Sequence, residues 1–195
     1  MTAQAVGTGI RIEPLDPSTH DRAAFSCGTV RLDNFLKRTA RKHQAGDFTR
    51  VWVATENGTD ILGYYALNAH ALEGDDLPGP LTKHAPRSGS IPAVYLSMIA
   101  VALRHQGRGL GRFLLADALL RVVGAAEQIG VKAVLLDVIE DGGAELTERR
   151  RAFYAAMGFQ SLPSRPLRMF ISIETVRQGR PTKPSLIGRG SRDRP

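Results

Sequence analysis

The chain has 195 residues, a mass of 21.2 kDa and one cysteine, Cys27. That length suits one domain with a proper core, and the single cysteine excludes an intrachain disulfide and a Cys-rich zinc site. The net charge of +7 is concentrated at one end, because the last 19 residues, Arg177 to Pro195, hold six basic residues against one acid. The body is left near +2, so overall charge alone does not argue for nucleic-acid binding.

The opening MTAQAVGTGI has neither the basic nor the apolar region of a signal peptide. Met98 to Leu103, the longest strongly apolar stretch, is too short to cross a bilayer. The expectation is a soluble, cytoplasmic protein without a membrane partner. One domain is expected over residues 9–176, followed by a basic, disordered tail over 177–195 that is rich in Gly, Pro and Ser.

In chain order, Arg31 to Gln44 reads as a helix, with Leu32, Phe35, Leu36, Ala40 and His43 on one stripe. Lys37, Arg38, Arg41 and Lys42 fall on the other side. Arg50 to Thr55 and Ile61 to Asn68 are β-rich runs joined through Asn57-Gly58, which favours a hairpin. Glu73 to Pro92, rich in Gly, Pro and His, reads as a long loop. A continuous apolar strand is expected from Ala93 to Ala102, then a helix from Leu110 to Gln128. Lys132 to Ile139 is a strand buried on both faces. Thr147 to Met157 is a helix ended by Gly158, and Leu167 to Ile173 alternates as a last strand. The class is α/β or α+β, with helices packed on one sheet.

Between the strand at Ala93 and the helix at Leu110 lies Arg104-His105-Gln106-Gly107-Arg108-Gly109-Leu110-Gly111. Alternating glycines at a helix N-terminus expose successive backbone N–H groups, an arrangement suited to a phosphate or pyrophosphate. The chain has no GxxxxGK[ST] string for a P-loop. Arg112 stands where a dinucleotide fingerprint needs its third glycine.

The string does fit R-x-x-G-x-G, and with it the chain resembles the GNAT acetyltransferase superfamily. Phe153-Tyr154-x-x-x-Gly158-Phe159 lies after the next strand, as in that superfamily. The resemblance covers about Val51 to Ile173 and implies a GNAT-like α/β (α+β) fold with a mixed, mostly antiparallel central sheet flanked by helices. Phe25-x-Cys27-Gly28, Leu32-Asp33-x-Phe35-Leu36 and Gly63-Tyr64-Tyr65 are similar to the GNAT toxins of type II toxin–antitoxin systems. Those toxins acetylate the α-amine of aminoacyl-tRNA and are neutralised by a ribbon-helix-helix antitoxin. The pattern departs in three places. Met98-Ile99-Ala100-Val101-Ala102 replaces an Arg-Leu-Ala-Val-Asp strand end, Gly142–Arg151 is several residues longer, and Arg150 stands where alanine is favoured.

The resemblance implies acetyl-CoA as co-substrate, no metal, and direct attack of an amine on the thioester. Backbone groups of Ile99, Ala100 and Val101 would bond the pantetheine. Arg104 and the run Gln106, Gly107, Arg108, Gly109, Leu110, Gly111 and Arg112 would take the pyrophosphate. Tyr154 would protonate the departing thiolate. Lys37, Arg38, Arg41 and Lys42 are the candidate tRNA phosphate contacts, since four like charges on one face call for a polyanion or solvent to screen them. The implied partners are aminoacyl-tRNA and the antitoxin, and a homodimer is compatible with them. Two other readings stand beside this one: an enzyme acting on a small-molecule or protein amine, and a CoA-binding module without catalysis. An α-amine with a pKa of about 7.7–8.0 is partly neutral at cytoplasmic pH, whereas a lysine near 10.4 needs a base that the sequence does not show.

Overall fold

The computed structural model describes residues 9–73, 82, 85 and 89–179. Among the described residues seven strands form one sheet in the order β1-β2-β3-β4-β5-β7-β6. They are β1 (Arg11–Pro14), β2 (Arg50–Thr55), β3 (Gly63–Glu73), β4 (Ser90–Val101), β5 (Ala133–Asp137), β6 (Gln160–Leu162) and β7 (Arg165–Ser172). Every neighbouring pair is antiparallel except β4 and β5, which run parallel. The expected mixed, mostly antiparallel sheet is thus observed.

Adjacent side chains on a strand point to opposite faces, and Tyr64 and Tyr65 show what that builds. Tyr64 packs under the first helical segment with Leu32, Phe35, Leu36 and Ala40. Tyr65 packs on the other face, with Leu114, Leu115 and Ala118 of α3 (Leu110–Ala125). There its hydroxyl donates to the buried Asp117 carboxylate, which is also held by Arg121 Nε at 2.8 Å. Gly63 is required where the sheet meets this helix. A Cβ there would stand 2.8 Å from the Ala100 carbonyl oxygen and 2.8 Å from Leu114 Cδ1.

The first helical segment is not one regular helix. It runs as α1 (Val30–Asn34), a π-helical turn (Phe35–Thr39) and α2 (Ala40–Ala45). The π turn widens the helix by a residue. The buried part of the expected stripe ends at Ala40, and His43 is exposed with its ring edge-on to Phe35 at 6.0 Å. The expected long loop is also shorter. β3 extends to Glu73 and β4 begins at Ser90, pairing through Leu72↔Ile91 and Ala71↔Pro92. Residues 74–81, 83–84 and 86–88 lie outside the described set, as does the tail from 180 onward.

The long stretch before Tyr154 is helical. α4 (Ala144–Ala155) starts immediately after Gly142 and Gly143, both at positive φ, and so adds turns to the helix. At its far end Gly158 has φ +92°, and Phe159 N–H donates back to the Tyr154 carbonyl at 3.1 Å. That is the glycine stop expected there. α5 (Ile173–Gln178) closes the described chain, with the Ser172 hydroxyl accepting from Thr175 N–H. No helix among the described residues is long and apolar enough to cross a membrane.

Candidate active site

The site begins where the two parallel strands part. β4 pairs with β5 only from Ala93↔Ala133 to Tyr95↔Leu135. The β3–β4 register then shifts between Ala66 and Leu67, leaving Ser97 as the extra residue of a bulge. Beyond it β4 runs on to Val101 with one edge unpaired. The Ala100 carbonyl faces Gly63 on β3, and Ala102 N–H donates to Leu62 O at 2.9 Å. Alternation therefore turns the backbone groups of Ile99 and Val101 toward the open wedge.

A cavity of about 490 Å³ fills this wedge between the end of β4, the Cys27–Thr29 loop and α4. Of the residues expected at a site, Ile99, Ala100, Val101, Gln106 and Tyr154 line it. Tyr154 is half-buried, its ring set edge-on to Phe153 (5.2 Å between centroids) and to Phe159 (6.0 Å). Its hydroxyl has no hydrogen-bond partner among the described residues. Burial pushes the phenol up to about 12, while the nearby Arg150 charge draws it the other way. Tyr154 therefore lines the cavity with its phenol protonated at neutral pH, as a proton donor must be.

The glycine turn lies directly beyond. Gly107 and Gly109 adopt φ +75° and +83°, with open space where a Cβ would be. Phe113 N–H is the first of α3 to bond back, to Gly109 O at 3.2 Å, so the amides ahead of it lack an intrahelical acceptor. Gly111 places this turn against the cavity, since a Cβ there would meet Phe153 and Val101 at 3.7 and 3.8 Å. Arg108 and Arg112 are both exposed on this turn, whereas Leu110 is buried and offers only its amide.

Two expected phosphate ligands have other positions. Gln106 is a strap: its Nε2 donates to Cys27 O at 3.0 Å and Val101 O at 2.9 Å. Its own N–H is directed to Leu103 O at 3.3 Å. Arg104 borders a separate cleft with Asp21, Phe25 and Ile61, and its Nε donates to His105. Cys27 is buried with its thiol pushed up to about 11 by burial, which makes it a poor nucleophile.

A second cavity of about 410 Å³ opens on the sheet face that carries α1. Tyr95 and Ser97 of β4, Asp137 and the residues after β5, and Arg31 of α1 border it. Arg168 fixes Asp137 through two 2.7 Å hydrogen bonds, and the Tyr95 hydroxyl donates to it at 2.8 Å. These contacts, the arginine first, hold the carboxyl below its ordinary range. Of the four candidate tRNA contacts, Arg38, Arg41 and Lys42 are exposed and Lys37 is half-buried. None of the four lines either cavity.

Sequence reasoning missed Leu146, Arg149 and Arg150, which form the α4 wall of the first cavity. Their signal was present in the unusual arginine at 150, which was legible only as a departure from pattern. Among the described residues no group of His, Cys, Asp or Glu is placed to hold a metal.

The family described as "Acetyltransferase (GNAT) domain" matches residues 47–161. The chain is 52% identical to "Probable toxin TacT" of Sinorhizobium fredii, over 85% of this chain and 92% of that protein. It is 33% identical to the "tRNA-acetylating toxin" of Mycobacterium tuberculosis, over 80% of this chain and 89% of the relative. A crystal structure of a tyrosine-to-phenylalanine mutant of KacT superposes with a TM-score of 0.77 at 24% identity, covering 87% of this chain and 98% of the other. A family model over more than half of the chain, together with relatives at 52% and 33% identity, shows that the chain belongs to the GNAT acetyltransferases.

Proposed function

We propose that this protein is a toxin-type acetyltransferase that moves the acetyl group of acetyl-CoA to the α-amine of aminoacyl-tRNA. The observation that carries the chemistry is the protonated Tyr154 phenol, unpartnered among the described residues, at the cavity between the free edge of β4 and α4. The two sequence relatives carry the substrate, one being described as a toxin and the other as a tRNA-acetylating toxin. The region 9–176 acts as one catalytic domain, with 177–195 appended to it.

In this reading the pantetheine lies along β4 and bonds the backbone of Ile99 and Val101. The pyrophosphate lies on the amides from Gly107 to Arg112, with Arg108 and Arg112 beside it. The amine nitrogen attacks the thioester carbon and the carbon–sulfur bond breaks. The sulfur takes its proton from the Tyr154 hydroxyl, the amine gives up its own proton to water, and the Tyr154 phenolate regains a proton from water before the next turnover. No carboxylate lines the thioester cavity among the described residues, which agrees with an α-amine that is already partly neutral near pH 7.7–8.0. The acceptor enters through the second cavity, on the α1 face, while Arg38, Arg41, Lys42 and the half-buried Lys37 hold tRNA phosphates outside it. A ribbon-helix-helix antitoxin and a homodimer complete the set of partners.

The test is acetyl transfer by the full chain from labelled acetyl-CoA. Charged tRNA should take up label, and the same tRNA stripped of its amino acid should not. Label on lysine peptides or small amines with none on charged tRNA would replace this reading by that of a small-molecule or protein acetyltransferase.

A further inference from the structure

Arg150 stands one helical turn before Tyr154 on α4, so the two side chains share a face of the helix. Its Nη1 donates to the Ile139 carbonyl at 2.9 Å and also to the Asp141 carbonyl. Both carbonyls lie past the end of β5, downstream of Val138, whose N–H bonds Leu167 O at 2.8 Å. A single guanidinium group therefore ties α4 to the segment that leaves the sheet. The tie also lies between two spaces. Arg150 lines the cavity assigned to the thioester, whereas Ile139 and Asp141 line the second cavity. It is half-buried, and its charge acts on the Tyr154 phenol against the effect of burial.

We propose that Arg150 is a positioning residue for acetyl transfer, holding the helix that carries Tyr154 against the end of β5 and forming the wall between the thioester and acceptor cavities. This rests on the reading of Tyr154 as the proton donor. Arginine suits the place because the two N–H bonds of Nη1 are fixed in the guanidinium plane and so set the positions of both carbonyls, whereas a lysine ammonium rotates freely on a flexible stem. Without it, two carbonyls lose a charged donor and α4 can pivot about its Gly142-Gly143 start. The phenol would then miss the sulfur by a fraction of an ångström, and misplacement of about 1 Å can cost roughly 10²-fold in rate.

A double-mutant cycle tests this. Wild type, Arg150→Ala, Tyr154→Phe and the double variant are compared for kcat on charged tRNA, acetyl-CoA affinity by calorimetry, and melting temperature. Arg150→Ala should lose about 10- to 100-fold in kcat with acetyl-CoA affinity within about threefold. The double variant should turn over within about threefold of Tyr154→Phe, because Arg150 acts through that phenol. Added methylguanidinium should restore Arg150→Ala and leave Tyr154→Phe unchanged, an effect that a purely structural role would not produce. Should Arg150→Ala lack a melting transition, Arg150→Lys takes its place in the cycle, keeping the charge but not the fork. Effects that multiply, or an Arg150 variant with unaltered kcat, would overturn the proposal while leaving the acid role of Tyr154 intact. A Tyr154→Phe enzyme at wild-type rate would overturn both.

Discussion

Tyr154→Phe removes one oxygen from the cavity and little else. The ring keeps its edge-on packing against Phe153 and Phe159. The hydroxyl it loses has no partner among the described residues, so stability should change by no more than about 0.5 kcal/mol. The loss falls on the proton that the leaving sulfur takes in the transition state. A positioned general acid contributes roughly 10²–10⁴-fold, or about 3–5 kcal/mol of barrier. The phenol is pushed up to about 12 by burial, above a free thiol near 8.5, but a sulfur buried beside it is likewise disfavoured as a thiolate, which raises its proton affinity. The donor thus stays matched to its acceptor. Steady-state kinetics on charged tRNA, with acetyl-CoA affinity measured separately, should show kcat falling by that factor and affinity unchanged. The pH dependence has a definite sign. The active form of Tyr154 is protonated, so the wild-type rate should show no decline assignable to it below about pH 10. Below about pH 8 the rate should fall as the acceptor α-amine takes up a proton. A folded Tyr154→Phe enzyme within threefold of wild-type turnover would refute the assignment.

Gly109→Val should weaken acetyl-CoA binding at least about tenfold by calorimetry, since a side chain would enter the open space above the turn and valine resists φ +83°. Gly63→Ala should destabilise the fold by about 1–3 kcal/mol in urea titrations, because its Cβ meets both the Ala100 carbonyl oxygen and Leu114 at 2.8 Å. Joint replacement of Lys37, Arg38, Arg41 and Lys42 with alanine should flatten the salt dependence of tRNA binding, by about 0.7–0.9 in log–log slope for each phosphate that the side chains had neutralised. Acetyl-CoA affinity should not change in that variant, and an unaltered salt slope would move tRNA binding to another surface.

The glycine turn and most of the strands were legible because each carries a local signal, whereas Tyr154 was named through the family resemblance alone. Gly107, Gly109 and Gly158 adopt the left-handed φ that their positions implied. The adjacent tyrosines 64 and 65 obey strand alternation. The expected loop over Glu73 to Pro92 overran both strand ends because Pro92 reads as a strand breaker. In the sheet its missing N–H matters little, since its carbonyl still accepts from Lys132 N–H at 2.8 Å. β1 and β6, at four and three residues, are too short to show a period. The π turn at Phe35–Thr39 has no sequence signature. The straps are the least legible of all. Gln106 reads as part of a phosphate loop until its amide is seen across 79 positions of chain, on the Cys27 carbonyl. Arg150 likewise acts through carbonyls 9 and 11 residues away.

The central claim is that acetyl passes from acetyl-CoA to the α-nitrogen of an amino acid esterified to tRNA. Mass spectrometry of the aminoacyl-adenosine released by nuclease from charged tRNA, after incubation with the full chain and acetyl-CoA, tests it most directly. One acetyl group on the α-nitrogen, formed by wild type and lost in Tyr154→Phe, is the predicted result. Unmodified aminoacyl-adenosine from a wild-type protein shown by calorimetry to bind acetyl-CoA would contradict it.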